Sequence, residues 1–299
     1  MAKQVFSKRP LTVSDQIVLL KSRGLAIPDV SRAEKYLANI SYYRLSGYMY
    51  PFLDDPVNHR FKAGACFDDA LNLYKADREL RLLVFATLEK IEVAVRARIA
   101  DEYAVASADP FWYEKAAFFQ NSGNHSILIK NIKDSVGRST DTFVKHFFNV
   151  YSNPNPPAWI TFEVLPMGQL SILFRNLASS PEKKAIAAYF GLKETVFVSW
   201  LHSLVYVRNI CAHHARLWNK DFRVSARIPQ KPFYCWPIIP VQAERKAYIV
   251  LAILNYLLNV ITPGHHFKQK LKNIFSKYSV MSLQAMGFPQ DWENDPFWA

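Results

Sequence analysis

Apolar positions along this chain recur at spacings of three and four residues, and no stretch alternates apolar and polar residues as a half-buried strand would. That pattern predicts an all-α protein. Residues 12–24 open with Thr12 as a helix cap and Asp15 in the first turn, carry Ile17, Leu19 and Leu20 on one face, and stop at Gly24. Residues 30–40 repeat the design behind Asp29, with Ala33, Tyr36, Leu37 and Ile40 at helical spacing. A tyrosine-rich segment follows at 41–52, and then a polar connection at 54–65. Residues 67–103 are expected to form one long helix capped by Asp68. Its buried stripe is Leu71, Tyr74, Leu80, Leu83, Val84, Leu88, Ile91 and Val95, opposite a solvated face bearing Asp77, Arg78, Glu79, Arg81, Glu89, Lys90, Glu92, Arg96 and Arg98.

The pattern loosens between 106 and 123, where Pro110, Phe111, Trp112 and Tyr113 suggest a packed loop. Further helices are predicted at 126–136, at 140–151, from Ala158 until Pro166 kinks or breaks it, and at 167–177, 182–190 and 193–218. Four prolines, Pro229, Pro232, Pro237 and Pro240, keep 219–240 from being helical throughout. A long apolar helix is expected at 241–262. Its apolar run falls short of the roughly 20 residues that span a bilayer, so it is expected in a core and no membrane partner is expected. A basic amphipathic helix at 265–277 and an aromatic-rich end at 281–299 close the chain. These signals divide it into an N-terminal helical lobe (1–65), a helical core (66–262) and a basic, aromatic C-terminal extension packed on that core (263–299).

Composition narrows the function. Half of the 299 residues are hydrophobic, ample for a core. Lys and Arg outnumber Asp and Glu by 37 to 25, a net charge of +12, which favours anionic partners such as RNA, with plain solubility as the bland alternative. Cys66, Cys211 and Cys235 form no C-x-x-C pair, against a disulfide scaffold or thiolate zinc site and in favour of a reducing cytoplasm. Residues 1–10 are polar and basic, with no apolar leader. No G-x-x-x-x-G-K-[ST] or G-x-S-x-G stretch occurs, which argues against a P-loop ATPase or a serine hydrolase. His213 and His214 point about 100° apart on a helix, as do His265 and His266, so no metal site and no cofactor are expected.

The chemistry concentrates in V-Y-V-R-N-I-C-A-H-H-A-R-L-W, residues 205–218, polar groups set on an apolar rod. On an ideal helix His202, Asn209, His213 and Arg216 fall within about 60° of one another, opposite Trp200, Leu204, Val207 and Cys211. Arg208 stands about 140° from His213, so the arginine wraps around, the helix is distorted, or the two meet through a partner helix. RNA carries its own nucleophile in the 2′-hydroxyl. A histidine to move protons and an arginine to steady the phosphorane therefore suffice for cleavage without a metal. One histidine cannot be base and acid in the same step; a second copy across a two-fold seam, or His214, would supply the other. Glu89 and Glu92 are candidates to orient these groups, or are simply part of the solvated face. Tyr43 and Arg44, in S-Y-Y-R-L-S-G-Y, could stack on bases and grip phosphate, or belong to an aromatic core. Lys268, Lys270 and Lys272 could touch RNA phosphates.

R-N-I-C-A-H at 208–213 is similar to the R-N-x-x-x-H motif of the HEPN-superfamily ribonucleases. Together with Y-Y-R-L-S-G-Y at 42–48, P-P-A-W-I-T-F-E-V-L-P-M-G at 156–168, R-N-I-C-A-H-H-A-R-L-W-N at 208–219 and G-F-P-Q-D-W near the end, the chain resembles the Abi-like (AbiD/AbiF) abortive-infection family. The resemblance implies an all-helical HEPN-like bundle, a homodimer with a composite site, and metal-independent RNA endonuclease activity leaving a 2′,3′-cyclic phosphate. It also implies an antiphage toxin, with a small RNA as its candidate restraint. By that likeness Arg208 would bind the scissile phosphate, His213 would be acid or base, and Asn209 would orient them. His214 and Arg216, from the same stretch and not from the likeness, are candidates to support them. No role is carried over for Arg44. A non-cleaving module that holds a cognate small RNA is the other reading.

Overall fold

The computed structural model describes residues 5, 7 and 9–299; the rest of the first ten residues, on which the expectation of no apolar leader falls, lie outside the described residues. Among the described residues the protein is all-α apart from one short hairpin. Its helices are α1 (Val13–Ser22), α2 (Val30–Ile40), α3 (Tyr42–Met49), α4 (Phe67–Ser107), α5 (Ser122–Arg138), α6 (Thr142–Val150), α7 (Ala158–Thr161), α8 (Met167–Asn176), α9 (Pro181–Tyr189), α10 (Glu194–Ala212), α11 (Ala247–Ile261) and α12 (Phe267–Lys277). The strands β1 (Leu53–Asp55) and β2 (Arg60–Phe61) pair antiparallel inside the expected polar connection. The Asp55 carboxylate makes the turn by accepting the N–H groups of Val57 and Asn58 at 2.9 and 3.1 Å. Strands of three and two residues leave no periodicity to find.

The chain forms two compact units, Met1–Glu79 with Asn273–Ser282, and Leu80–Lys272 with Leu283–Ala299. The division falls inside α4 and inside α12. In the first unit Ile17, Leu20, Ala33, Leu37, Leu45, Met49, Phe67 and Leu71 share one apolar cluster. Thr12 and Asp29 cap α1 and α2 as their sequences predict, accepting from the N–H groups of Asp15 and Arg32. Two expectations for α4 are corrected. Asp68 is not its cap: it lies in the first turn and pairs with Arg32, while Asp69 accepts the Cys66 N–H at 3.2 Å. Nor is the charged face wholly solvated, since Asp77 and Arg81 are buried; Asp77 accepts the Tyr48 hydroxyl at 2.5 Å, a hydrogen bond that offsets part of the cost of burying it.

The second unit is built around α10, which packs on α8, α9 and α11. Phe174, Phe190 and Phe197 stack where α8, α9 and α10 meet. α11 is buried along nearly its whole length, as its apolar sequence predicts, but it starts at Ala247 rather than 241, because Val241–Ala243 close a separate 3-10 turn. Tyr256 of α11 packs edge-on against Trp200 of α10 at 5.3 Å and donates its hydroxyl to the Gly191 carbonyl at 2.8 Å. Pro166 breaks the predicted helix outright, separating α7 and its 3-10 continuation from α8. No helix or strand lies between Asn219 and Pro240, in keeping with its prolines.

Candidate functional site

α10 stops at Ala212, six residues short of the predicted end, and its closure places the two adjacent histidines differently. His213 is the C-cap, keeping near-helical dihedrals (φ −87°, ψ 10°), and its N–H donates to the Asn209 carbonyl at 3.0 Å. His214 follows in the left-handed region at φ 54°. Its N–H donates to the Cys211 carbonyl at 3.1 Å, and the Ala215 N–H donates to the Ile210 carbonyl at 2.9 Å. This pair of reversed bonds is the Schellman closure, with histidine where glycine is commonest. His213 thus keeps its place in the exposed row with His202 and Asn209. Arg216, expected on that row, lies beyond the helix and is half-buried, so helical spacing does not describe it.

Arg208 faces elsewhere. Its guanidinium carbon lies 5.9 Å from the Phe85 ring centre, and among the described residues it forms no ion pair. It opens onto a cavity of about 200 Å³ lined also by Leu88, Glu89, Glu92, Val93 and Arg96 of α4. The structure therefore brings Arg208, Glu89 and Glu92 around one cavity, while Asn209 and His213 stand on the exposed side of the same helix end. Glu89 is exposed. Glu92 is held by Arg96 at 3.0 Å, and the same guanidinium reaches Glu163 at 3.6 Å and donates to the Leu165 carbonyl at 3.4 Å. This network ties the wall of the cavity to the segment before α8. Arg96, expected on a solvated face, is instead this link, and Glu163, a glutamate isolated in an apolar run, is the sequence signal for it.

The tyrosine-rich α3 divides its side chains. Tyr48 is buried on Asp77 and Tyr42 accepts from Arg23 at 3.0 Å, whereas Tyr43 is 89% exposed and Arg44 is exposed beside it. Of the C-terminal lysines, Lys268 donates to the Ala299 carbonyl, Lys272 lies 5.8 Å from the Trp292 ring centre, and Lys270 is exposed. Among the described residues no group of three or more His, Cys, Asp or Glu side chains is placed to hold a metal ion, and no helix is long and apolar enough to cross a membrane.

Comparison with known proteins follows the same stretch of chain. The model of a family described as Abi-like proteins matches residues 35–219, more than half of the sequence. That span takes in α3, α4, the Glu163 segment and α10 to its last turn. No curated protein and no solved structure matches the chain.

Proposed function

The chain belongs to the Abi-like protein family, and from that premise we propose that it is a metal-independent, HEPN-type RNA endonuclease that acts in abortive infection. The observation that carries this reading is the end of α10. An exposed imidazole, His213, and an exposed amide, Asn209, share this helix end with an arginine, Arg208, that forms no ion pair among the described residues. A guanidinium in that condition keeps its fork of donors for an anionic ligand.

In the proposed reaction one imidazole takes the 2′-hydroxyl proton, the 2′-oxygen bonds to phosphorus, and the bond from phosphorus to the 5′-oxygen breaks. A second imidazole, protonated, gives its proton to that leaving oxygen, so the products are a 2′,3′-cyclic phosphate and a 5′-hydroxyl. Arg208 stabilises the extra negative charge on the phosphorane. The second imidazole is His213 of another copy. The surface beside Arg208 supports such a pairing: Leu82, Phe85 and Val93 follow one face of α4 and are 55%, 40% and 52% exposed, an apolar stripe suited to an interface.

Incubating the purified protein with cellular RNA and mapping the new ends tests the reading. Wild type is expected to generate 5′-hydroxyl ends in the presence of a chelator, and His213→Ala or Arg208→Ala to lose on the order of 10²–10⁴ in rate. Phe85→Glu is expected to lower both the mass in solution and the activity. RNA left uncut by the wild type, or cut equally by His213→Ala, would leave the non-cleaving RNA-holding module instead.

A further inference from the structure

A groove on the second unit, away from the Arg208 and His213 helix end, is unaccounted for by that chemistry. It consists of three adjoining hollows of about 410, 280 and 310 Å³. The first two share Thr195 and Arg227 in their walls, and the second and third share Gln120 and Arg175, so they form one track. Lys231, Lys193, Arg227 and Arg175 line it in turn, all four exposed, and among the described residues none of them forms an ion pair. Glu194 is the one carboxylate in the walls.

The track is built rather than incidental. The backbone of Arg227 is pinned to α10 on both sides: its N–H donates to Ser199 Oγ at 2.9 Å, and its carbonyl accepts the Trp200 indole N–H at 2.9 Å. Beneath Arg175 the ammonium of Lys183, itself only 3% exposed, donates to the Leu177 and Arg175 carbonyls at 2.6 and 3.4 Å. Both arginines therefore stand on fixed backbone in the wall of a hollow. The two ends differ in chemistry. At one end the Phe233 N–H donates to the Gly191 carbonyl of the wall, which sets Phe233 and Tyr234, 65% and 52% exposed, beside Lys231. At the other, the walls carry the amides of Gln120, Asn124 and Asn131.

We infer that this groove binds single-stranded RNA, with its phosphates on Arg175, Lys193, Arg227 and Lys231 and an unstacked base on Phe233. Exposed rings beside a cationic track suit a strand whose bases are unpaired, since a duplex offers no free base faces. Ser199 precedes Arg208 by nine residues, about 13 Å along α10, so RNA held in the groove lies along the helix that ends in the proposed cleavage site. The inference rests on RNA being the partner, as proposed above, but not on cleavage.

The test uses full-length His213→Ala protein and a fluorescent single-stranded RNA of about 12 nucleotides, titrated at several salt concentrations. Adding Arg175→Ala and Arg227→Ala is expected to weaken binding on the order of tenfold or more and to flatten the slope of log Kd against log salt by roughly 1.4, the share of two phosphate contacts. Phe233→Ala is expected to weaken it by about tenfold with no change in that slope, and duplex RNA of the same length to bind more weakly. An unchanged melting temperature shows that these exposed substitutions leave the fold intact. Photocrosslinks from thiouridine-substituted RNA are expected at the Phe233 and Arg175 segments, a readout that needs no variant. Parental affinity and slope in the double variant, crosslinks confined to other segments, or no RNA binding at all would overturn the inference. Uncut RNA that still needs the groove for binding would sink the endonuclease reading and leave this one standing.

Discussion

His213 and His214 are neighbours in sequence with different tasks set by one dihedral angle. His214 takes the left-handed position that closes α10, and that closure lets His213 keep its helical place with Asn209. His214→Gly is expected to preserve the helix end and to leave RNA cleavage within a few-fold of wild type. His214→Val, whose branched Cβ resists the left-handed region, is expected to cost about 1–2 kcal/mol in thermal unfolding. A second residue matters to stability alone. Asn255 of α11 is fully buried, and neither its amide oxygen nor its nitrogen has a hydrogen-bond partner in the protein. Asn255→Leu, with the same branching and number of side-chain heavy atoms, removes that desolvation cost and is expected to stabilise by about 1 kcal/mol, the bulk of its methyl groups offsetting part of the gain, measured by denaturant unfolding.

At the scale of elements, α4 and α10 meet around Arg208, and Arg96 holds the wall between them. The Arg96 and Glu92 side chains are 11% and 16% exposed, so truncating one strands the other. Arg96→Ala is expected to cost about 3 kcal/mol and to lower cleavage more than stability alone explains; unfolding and end mapping on the same preparation separate the two effects. Much of this level was legible in the sequence. Thr12 and Asp29 announce their helices, the stripe from Leu71 to Val95 traces the buried face of α4, and Pro166 marks a break. What escaped depends on contacts far along the chain. Asp77 looks solvated until Tyr48, twenty-nine positions earlier, is placed on it. Arg208 looks misplaced beside His213 until α4 supplies the cavity it faces. The end of α10 was hidden because histidine, unlike glycine, carries no strong signal for the left-handed turn it makes here.

For the whole molecule, whose net charge is +12, the pH behaviour follows from where its ionisable groups are buried. His265 is the clearest case. The Phe267 N–H donates to its Nδ1 at 3.2 Å, and the other ring nitrogen lies 2.9 Å from Asn259 Oδ1, a pattern that only the neutral ring satisfies. Burial pushes its pKa below the usual histidine value, and Lys268, Lys90 and His266 push the same way. Its contribution to stability is therefore complete above about pH 6.5, the unfolded value, and is lost as pH falls toward the lower folded value, where the unfolded chain binds the proton first. Melting temperature is expected to fall on acidification through that window, and less steeply in His265→Gln. The burial of α11 has a consequence for synthesis as well. Trp200 leaves the ribosome long before Tyr256, its partner from α11, and Tyr248 then waits for Trp298, 6.0 Å away at the end of the chain. A nascent chain stalled before Ala247 has α10 but not the helix that covers it. The central helix of the second unit thus gains this cover only after Ala247–Ile261 has been made, and in a chain stalled before Ala247 the α10 face bearing Trp200 is expected to stay open to protease.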